Sequence, residues 1–286
     1  MNENDIIIKR KIGICGGVVV SKTVRKIIAI GGGENGRINS KGEKLPYELS
    51  EIDSEIIRLT RRKKPRVLFL AHAQISFGFE NELRYYETIK KIYGDMFGCD
   101  FRWLKASELT DNFEKAQNDV SWADIIYEGG GNTVAMIELW KKTGFDNLLR
   151  DAWKTGKVMC GVSAGAICWF ALGNTDVPGY KEAEVNQIPG LGFIDAYFSP
   201  HCNKEGKRES EINSLKHIDK VGLSVSNCSA IEIIDDQYRV IKSTPADGSF
   251  RPYVLRTYWK NGNMFEEEIS ETADFKKLDL LLSMKD

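Results

Sequence analysis

Histidine is scarce in this chain of 286 residues, occurring only at positions 72, 201 and 217. Chemistry that needs an imidazole base must draw on one of these three. The six cysteines, at 15, 99, 160, 168, 202 and 228, form no CxxC pair and no His/Cys cluster of metal-ligand spacing. That excludes the usual zinc patterns and gives no sign of a disulfide framework. Cys160 and Cys168 lie in apolar runs and read as buried thiols, which fits a reducing compartment. Excess charge is also lacking. The 40 Lys and Arg balance 41 Asp and Glu to a formal net charge of −1, so nothing draws the whole chain to nucleic acid or anionic membrane. No apolar run is long enough to cross a bilayer. The apolar blocks near the N-terminus are split by Lys9, Arg10 and Lys11, unlike a secretory leader. The expectation is a cytoplasmic protein without metal or cofactor, with no nucleic-acid or membrane partner.

Beyond residue 25 the pattern is alternation. KIIAI (26–30), RVLFLAHA (66–73), residues 101–104, ADIIYEGGG (123–131), KVMCGV (157–162) and DAYFSPH (195–201) suit buried parallel strands. Between them, Ile52, Ile56 and Leu59 share one helical face, and Leu83, Tyr86, Ile89 and Ile92 another. Strand–helix repetition predicts an α/β fold, a mainly parallel sheet with helices on both faces. AIEIIDDQYRVIKS (230–243) and YVLRTYWKNGNMFEEEI (253–269) read as antiparallel hairpins, the second turning at Asn261 and Gly262. TADFKKLDLLL reads as a closing helix. Residues 1–25 are taken as an extension and 26–286 as one domain. The basic run from Arg61 to Arg66 reads as a solvated helix C-terminus.

Two glycine-rich turns follow strands. GGGENG (31–36) matches the letters of the dinucleotide fingerprint GxGxxG, but a polar loop replaces the helix that motif requires. The acidic residue expected after the second strand is also missing, since that strand ends in Ala71, His72 and Ala73. A loop at the ligand-binding edge of the sheet is the better reading, and a nucleotide-dependent oxidoreductase rests on this motif alone. In GGGNT (129–133), Asn132 or Thr133 can cap the following helix, and the glycines let backbone N–H groups converge on a crevice.

Gly161 and Gly165 flank Ser163 to give GxSxG between an apolar strand and an apolar, helix-like run. A nucleophile held on such a turn needs neighbours without bulk, and the following helix N-terminus favours developing negative charge. The Ala164 N–H, with that of Gly130 or Gly131, would form an oxyanion hole. Serine requires a base. His217 falls on a solvated helix face, and His72 ends a strand at the ligand edge, where it reads first as a satisfied structural histidine and second as a pocket-lining residue. His201, ending a strand after Pro200, suits the base. Asp176 is the acid that lies between serine and histidine in chain order. The hairpin-rich tail after His201 argues against the α/β-hydrolase fold.

The motifs GGGNT, GVSAGAICWF, NTD (174–176) and SPH, in this order, resemble the peptidase E family, which includes aspartyl dipeptidase and cyanophycinase. The resemblance spans about residues 26–242, and GGGNT lies closer to the dipeptidase branch. It implies a three-layer fold like that of class I glutamine amidotransferases and a serine peptidase acting on short peptides through an acyl-enzyme. It also implies Ser163 as nucleophile, His201 as base, and Gly131 with Ala164 as oxyanion donors. Asn132, next to Gly131, is assigned to the substrate pocket. The family's orienting carboxylate falls in GLSVSNCSAIEI (222–233), where this chain has Ser226 and Asn227. Asn227 can fix the histidine tautomer but carries no charge. Asp176 is the alternative acid, with Glu232 and Asp235 behind it. A binding or regulatory homologue with weakened catalysis is therefore the second reading. Arg37, Lys181, Lys204 and Arg208 are the cations near pocket edges, with no basis for choosing among them.

Overall fold

The structure is a computed structural model that describes residues 12–15, 18–21, 23–39, 41–175 and 187–285. An antiparallel hairpin of β1 (Ile12–Cys15) and β2 (Val18–Ser21) comes first. The alternating half follows: β3 (Lys26–Ile30), α1 (Ser50–Arg58), β4 (Arg66–Leu70), a 3-10 segment (His72–Phe77), α2 (Phe79–Lys90) with a π-helical extension (Lys91–Met96), and β5 (Asp100–Leu104). It continues through α3 (Glu108–Asp111), α4 (Phe113–Trp122), β6 (Ile125–Glu128), α5 (Thr133–Thr143), α6 (Phe145–Lys154), β7 (Val158–Val162) and α7 (Ala164–Ile167). The second half holds β8 (Phe170–Gly173), β9 (Ile188–Pro189), β10 (Ile194–Pro200), α8 (Lys207–Leu215) and β11 (Gly222–Val225). Then come β12 (Ser229–Ile234), β13 (Gln237–Lys242), β14 (Val254–Lys260), β15 (Asn263–Glu268), β16 (Lys276–Lys277) and α9 (Leu278–Leu282).

The main sheet runs β16-β13-β12-β3-β7-β6-β4-β5. β3 to β7 are its parallel strands, and β12, β13 and β16 continue it antiparallel. The inner parallel strands β3, β4, β6 and β7 are nearly continuous buried runs because both faces are covered, and alternate residues enter different cores. Ile27 and Ala29 of β3 join Leu68 and Leu70 of β4 beneath α4, α5 and α6. Ile28 and Ile30 join Val67 and Phe69 beneath α1 and α2. Ile52, Ile56 and Leu59 form the buried face of α1, as their spacing predicts. Asn112 and Asn132 cap α4 and α5 through hydrogen bonds to the Lys115 and Ala135 N–H groups.

Three expectations need correction. DAYFSPH is not part of the main sheet: it lies in β10 of a second, six-stranded sheet ordered β15-β14-β11-β10-β8-β9. The run after Ser163 is only briefly helical. α7 ends at Ile167, and Phe170 begins β8 of the second sheet, with Phe170 and Phe198 stacked 4.6 Å apart. The closing helix is likewise shortened to α9. Both predicted hairpins form, but β12–β13 extends the main sheet and β14–β15 the second. The described cysteines at 99, 160, 168, 202 and 228 are buried free thiols. Among the described residues no helix is long and apolar enough to cross a membrane.

Candidate active site

The two sheets meet where the chain passes between them. After β7 it turns at Ser163 toward β8. β10 ends beside the end of β3, and residues 226–228 carry the chain from β11 into β12. Ser163 has φ +56° and ψ −117°, a backbone state costing on the order of 1–3 kcal/mol for a residue with a side chain. Its surroundings hold it there. The Ser163 N–H donates to Ile30 O at 3.0 Å, and its carbonyl accepts from the Ala166 and Ile167 N–H groups. The flanking glycines are needed for close approach. A Cβ on Gly161 would stand 2.2 Å from Gly165 O, and one on Gly165 would stand 2.3 Å from Glu128 O.

His201 is held at φ +54° by its N–H on Gly31 O, 3.1 Å away. Its Nε2 lies 2.9 Å from Ser163 Oγ and its Nδ1 2.7 Å from Asn227 Oδ1. An amide oxygen only accepts, so Nδ1 carries the proton in the neutral ring. Nε2 is then the acceptor for the serine hydroxyl proton. Asn227 is itself placed by its N–H on Asn203 Oδ1 (2.9 Å). Ser226 points elsewhere, accepting from the Tyr253 N–H and bonding Ser229 Oγ. Glu232 is paired with Arg239 and Asp235 with Arg25, so neither reaches the imidazole. Asp176 lies outside the described residues, as does Lys181.

The turn after β6 crosses in front of Ser163. A Cβ on Gly130 would sit 3.4 Å from Ser163 Cβ. Gly130 does not fit as an oxyanion donor, because its N–H donates to Tyr85 Oη at 3.1 Å. Among the described residues the Gly131 and Ala164 N–H groups donate to no protein acceptor, which leaves them for a ligand. With α7 only four residues long, these two local donors, rather than a helix macrodipole, supply positive character at the nucleophile. Asn132 serves chiefly as the α5 cap; its N–H also donates to Ala73 O (2.7 Å).

His72 is not in the pocket. It is fully buried, accepts from Trp140 Nε1–H at Nδ1 (2.9 Å) and donates from Nε2 to Leu104 O (2.9 Å). Burial pushes its pKa down to about 4, so the folded protein keeps it neutral. The unfolded chain protonates it near the ordinary value of about 6.5. This contribution is therefore complete above pH 6.5 and lost as pH falls toward 4, about 3 kcal/mol in all. Asp53 acts in the opposite sense. Its carboxylate, bonded by Tyr47 and Tyr93 hydroxyls, is raised by burial to about 6. Its contribution is complete below the unfolded value of about 3.9 and is lost as pH rises through 6. Relative to wild type, His72→Gln should gain about 3 kcal/mol of stability from pH 6.5 down to 4, and Asp53→Asn about 3 kcal/mol from pH 4 up to 6. Urea unfolding across that range checks both slopes, and parallel curves would refute the assignment.

Of the cations near the pocket edge, Arg37 is paired with Glu34. Arg208 is held by Glu211, Glu266, Ser224 and Thr257. Lys204 donates its backbone N–H to His201 O (2.8 Å). His217 is exposed just past α8.

Two further residues shape the site. Gly32 lies directly over the His201–Asn227 hydrogen bond: a Cβ there would stand 2.3 Å from both Asn227 Oδ1 and His201 Nδ1. The triple glycine at 31–33 was the visible clue. Glu128, at the end of β6, is fully buried and accepts the Ala73 N–H (3.2 Å), and burial raises its pKa well above the carboxylate range.

A model of peptidase family S51 matches residues 27–241. This chain belongs to that family. It is similar to the uncharacterised peptidase YgaJ of Bacillus subtilis (strain 168), 32% identical over 235 residues, covering 80% of this chain and 92% of YgaJ. The fold matches a crystal structure of a peptidase from an acI-B1 Actinobacterium, with TM-score 0.67 and 19% identity over 90% of this chain and 98% of that one. It also matches a candidate peptidase E protein from Listeria monocytogenes EGD-e, with TM-score 0.57 and 18% identity over 77% of this chain and 99% of that one. The S51 chain is thus a peptidase by family, and its architecture is the mixed α/β fold of these neighbours.

Proposed function

We propose that this S51 peptidase hydrolyses short peptides by serine catalysis, with Ser163 as nucleophile, His201 as general base and Asn227 holding the imidazole. The observation that carries this reading is the continuous hydrogen-bond chain Ser163 Oγ–His201 Nε2 and His201 Nδ1–Asn227 Oδ1, 2.9 and 2.7 Å long. Ser163 Oγ attacks the scissile carbonyl carbon as its proton passes to His201 Nε2. The oxyanion is received by the Gly131 and Ala164 N–H groups. His201 then protonates the leaving amine, and an acyl-enzyme on Ser163 remains. Water, deprotonated by the same Nε2, releases the acid and restores the serine. No step draws on a cofactor. A cytoplasmic peptide pool fits the thiols and the charge balance.

A second reading is favoured by one residue. Asn227 gives the imidazolium a dipole in place of a charge, as expected of a homologue that binds peptides and turns them over slowly. A fluorophosphonate separates the two. The serine reading predicts one label per chain, lost in Ser163→Ala, together with release of free amino acids from dipeptides. Folded wild-type protein that takes up no label refutes the serine reading in favour of binding. A dipeptide screen with varied first residues then defines specificity.

A further inference from the structure

The glycine turn at 129–132 has its hydrogen-bonding groups assigned one by one, and the assignment isolates a single donor. The Gly129 N–H donates to Leu70 O (2.9 Å), that of Gly130 to Tyr85 Oη (3.1 Å) and that of Asn132 to Ala73 O (2.7 Å). Gly131 alone keeps its N–H for a ligand. The direction of that N–H is set by the preceding carbonyl. In a planar trans peptide, the C=O of one residue and the N–H of the next point in opposite directions. The Gly130 carbonyl is gripped by Gln74 Nε2 at 2.5 Å. Gly131 leans on the same brace. A Cβ there would stand 2.3 Å from Ala73 O and 2.8 Å from Gln74 Nε2, and its φ of +149° further favours glycine. Gly130 faces the other way, toward Ser163.

We propose that Gln74 is a positioning residue. By holding the Gly130 carbonyl on the side away from the nucleophile, it turns the Gly131 N–H toward the oxyanion, with Tyr85 clamping the other end of Gly130. This rests on the serine-peptidase reading and deepens it. It assigns a function to the 3-10 segment that follows β4, whose anchor is the Glu128 carboxyl on the Ala73 N–H. Misaiming one of two oxyanion donors weakens only the tetrahedral state, so ground-state binding and the acid–base pair remain intact.

The test is Gln74→Met, which keeps the length of the half-buried side chain and deletes the donor. The expected result is a fall of about 10- to 100-fold in kcat with little change in KM. The acid limb of the pH profile should stay in place, because His201 is untouched. A fluorophosphonate reports the same geometry. Ser163 Oγ forms a bond to phosphorus as the P–F bond breaks, fluoride leaves and the proton goes to His201 Nε2, with the phosphoryl oxygen in the hole. The labelling rate constant should fall in parallel with kcat while the final amplitude stays at one per chain. A merely structural role would lower amplitude and leave the rate constant of the folded fraction unchanged. Tyr85→Phe, which removes only the hydroxyl that accepts the Gly130 N–H, carries the same test should Gln74→Met misfold. Wild-type kcat and labelling rate in the folded variant overturn the positioning role alone. A wild-type chain that never labels overturns the hydrolase reading and this inference together.

Discussion

Asn227→Asp is expected to raise kcat/KM toward short peptides by about 10- to 1,000-fold near neutral pH. The substitution exchanges an amide NH₂ for an oxygen and leaves the shape of the side chain unchanged. Asn227 Oδ1 already accepts from His201 Nδ1, so the correct tautomer is in place and aspartate adds only charge. Where asparagine replaces the acid of a serine triad, the loss reaches about 10⁴-fold, part of it from a wrong tautomer. That part is absent here, and the gain is correspondingly smaller. The carboxylate also favours the imidazolium, so the acid limb of kcat/KM should move to higher pH. The gain should shrink in a Ser163→Cys background, because a thiol ionises more readily and relies less on a charged third member. An unchanged rate would show that another carboxylate already supplies the charge, and Asp176 is the residue the sequence offers for that place.

How much of this site is legible before any coordinates depends on how tightly each part constrains residue type. The glycines around Ser163 stand out because a Cβ at Gly161 or Gly165 would come within 2.2–2.3 Å of a backbone oxygen, so no larger residue fits on either side of the nucleophile. His201 is legible from its place at a strand end just after Pro200; the structure then sets the other two histidines aside, His72 under Trp140 and His217 past the end of α8. Asn227 is visible as a departure from an expected carboxylate. The second sheet is not visible. ICWFALG is apolar throughout, and a run of that length does not reveal that a short helix ends and a strand begins within it. The hairpins at 230–243 and 253–269 have the same local pattern, yet they join different sheets. Sheet membership is decided by long-range pairing, β12 with β3 and β14 with β11, which no local period encodes. Gln74 and Tyr85 are hidden for a similar reason. Their partners are backbone atoms of a turn more than forty residues away.

Gly32→Ala should lower kcat by about 10³-fold or more while leaving the chain folded. The added methyl would occupy the space of the His201–Asn227 hydrogen bond, 2.3 Å from each partner. The loop has no room to retreat. The Gly31 N–H is bonded to Ser229 O, Gly31 O to the His201 N–H, and Gly32 O to the Cys228 N–H, so residues 31 and 32 are tied to β12 and to the base itself. The imidazole or the amide must give way, and either shift separates Nε2 from Ser163 Oγ. Loss of a triad contact costs several orders of magnitude because the triad acts as a unit. Fold stability should suffer far less, since the methyl meets two partly exposed polar side chains rather than the apolar cores. Gly42→Ala is the matched control. It has a positive φ of 81° in the same loop, with no atom within 4 Å of the added Cβ, and should keep near-wild-type turnover. Equal activity of the two variants would show that the imidazole is not held through Asn227, and the catalytic role of that hydrogen bond would fall with it.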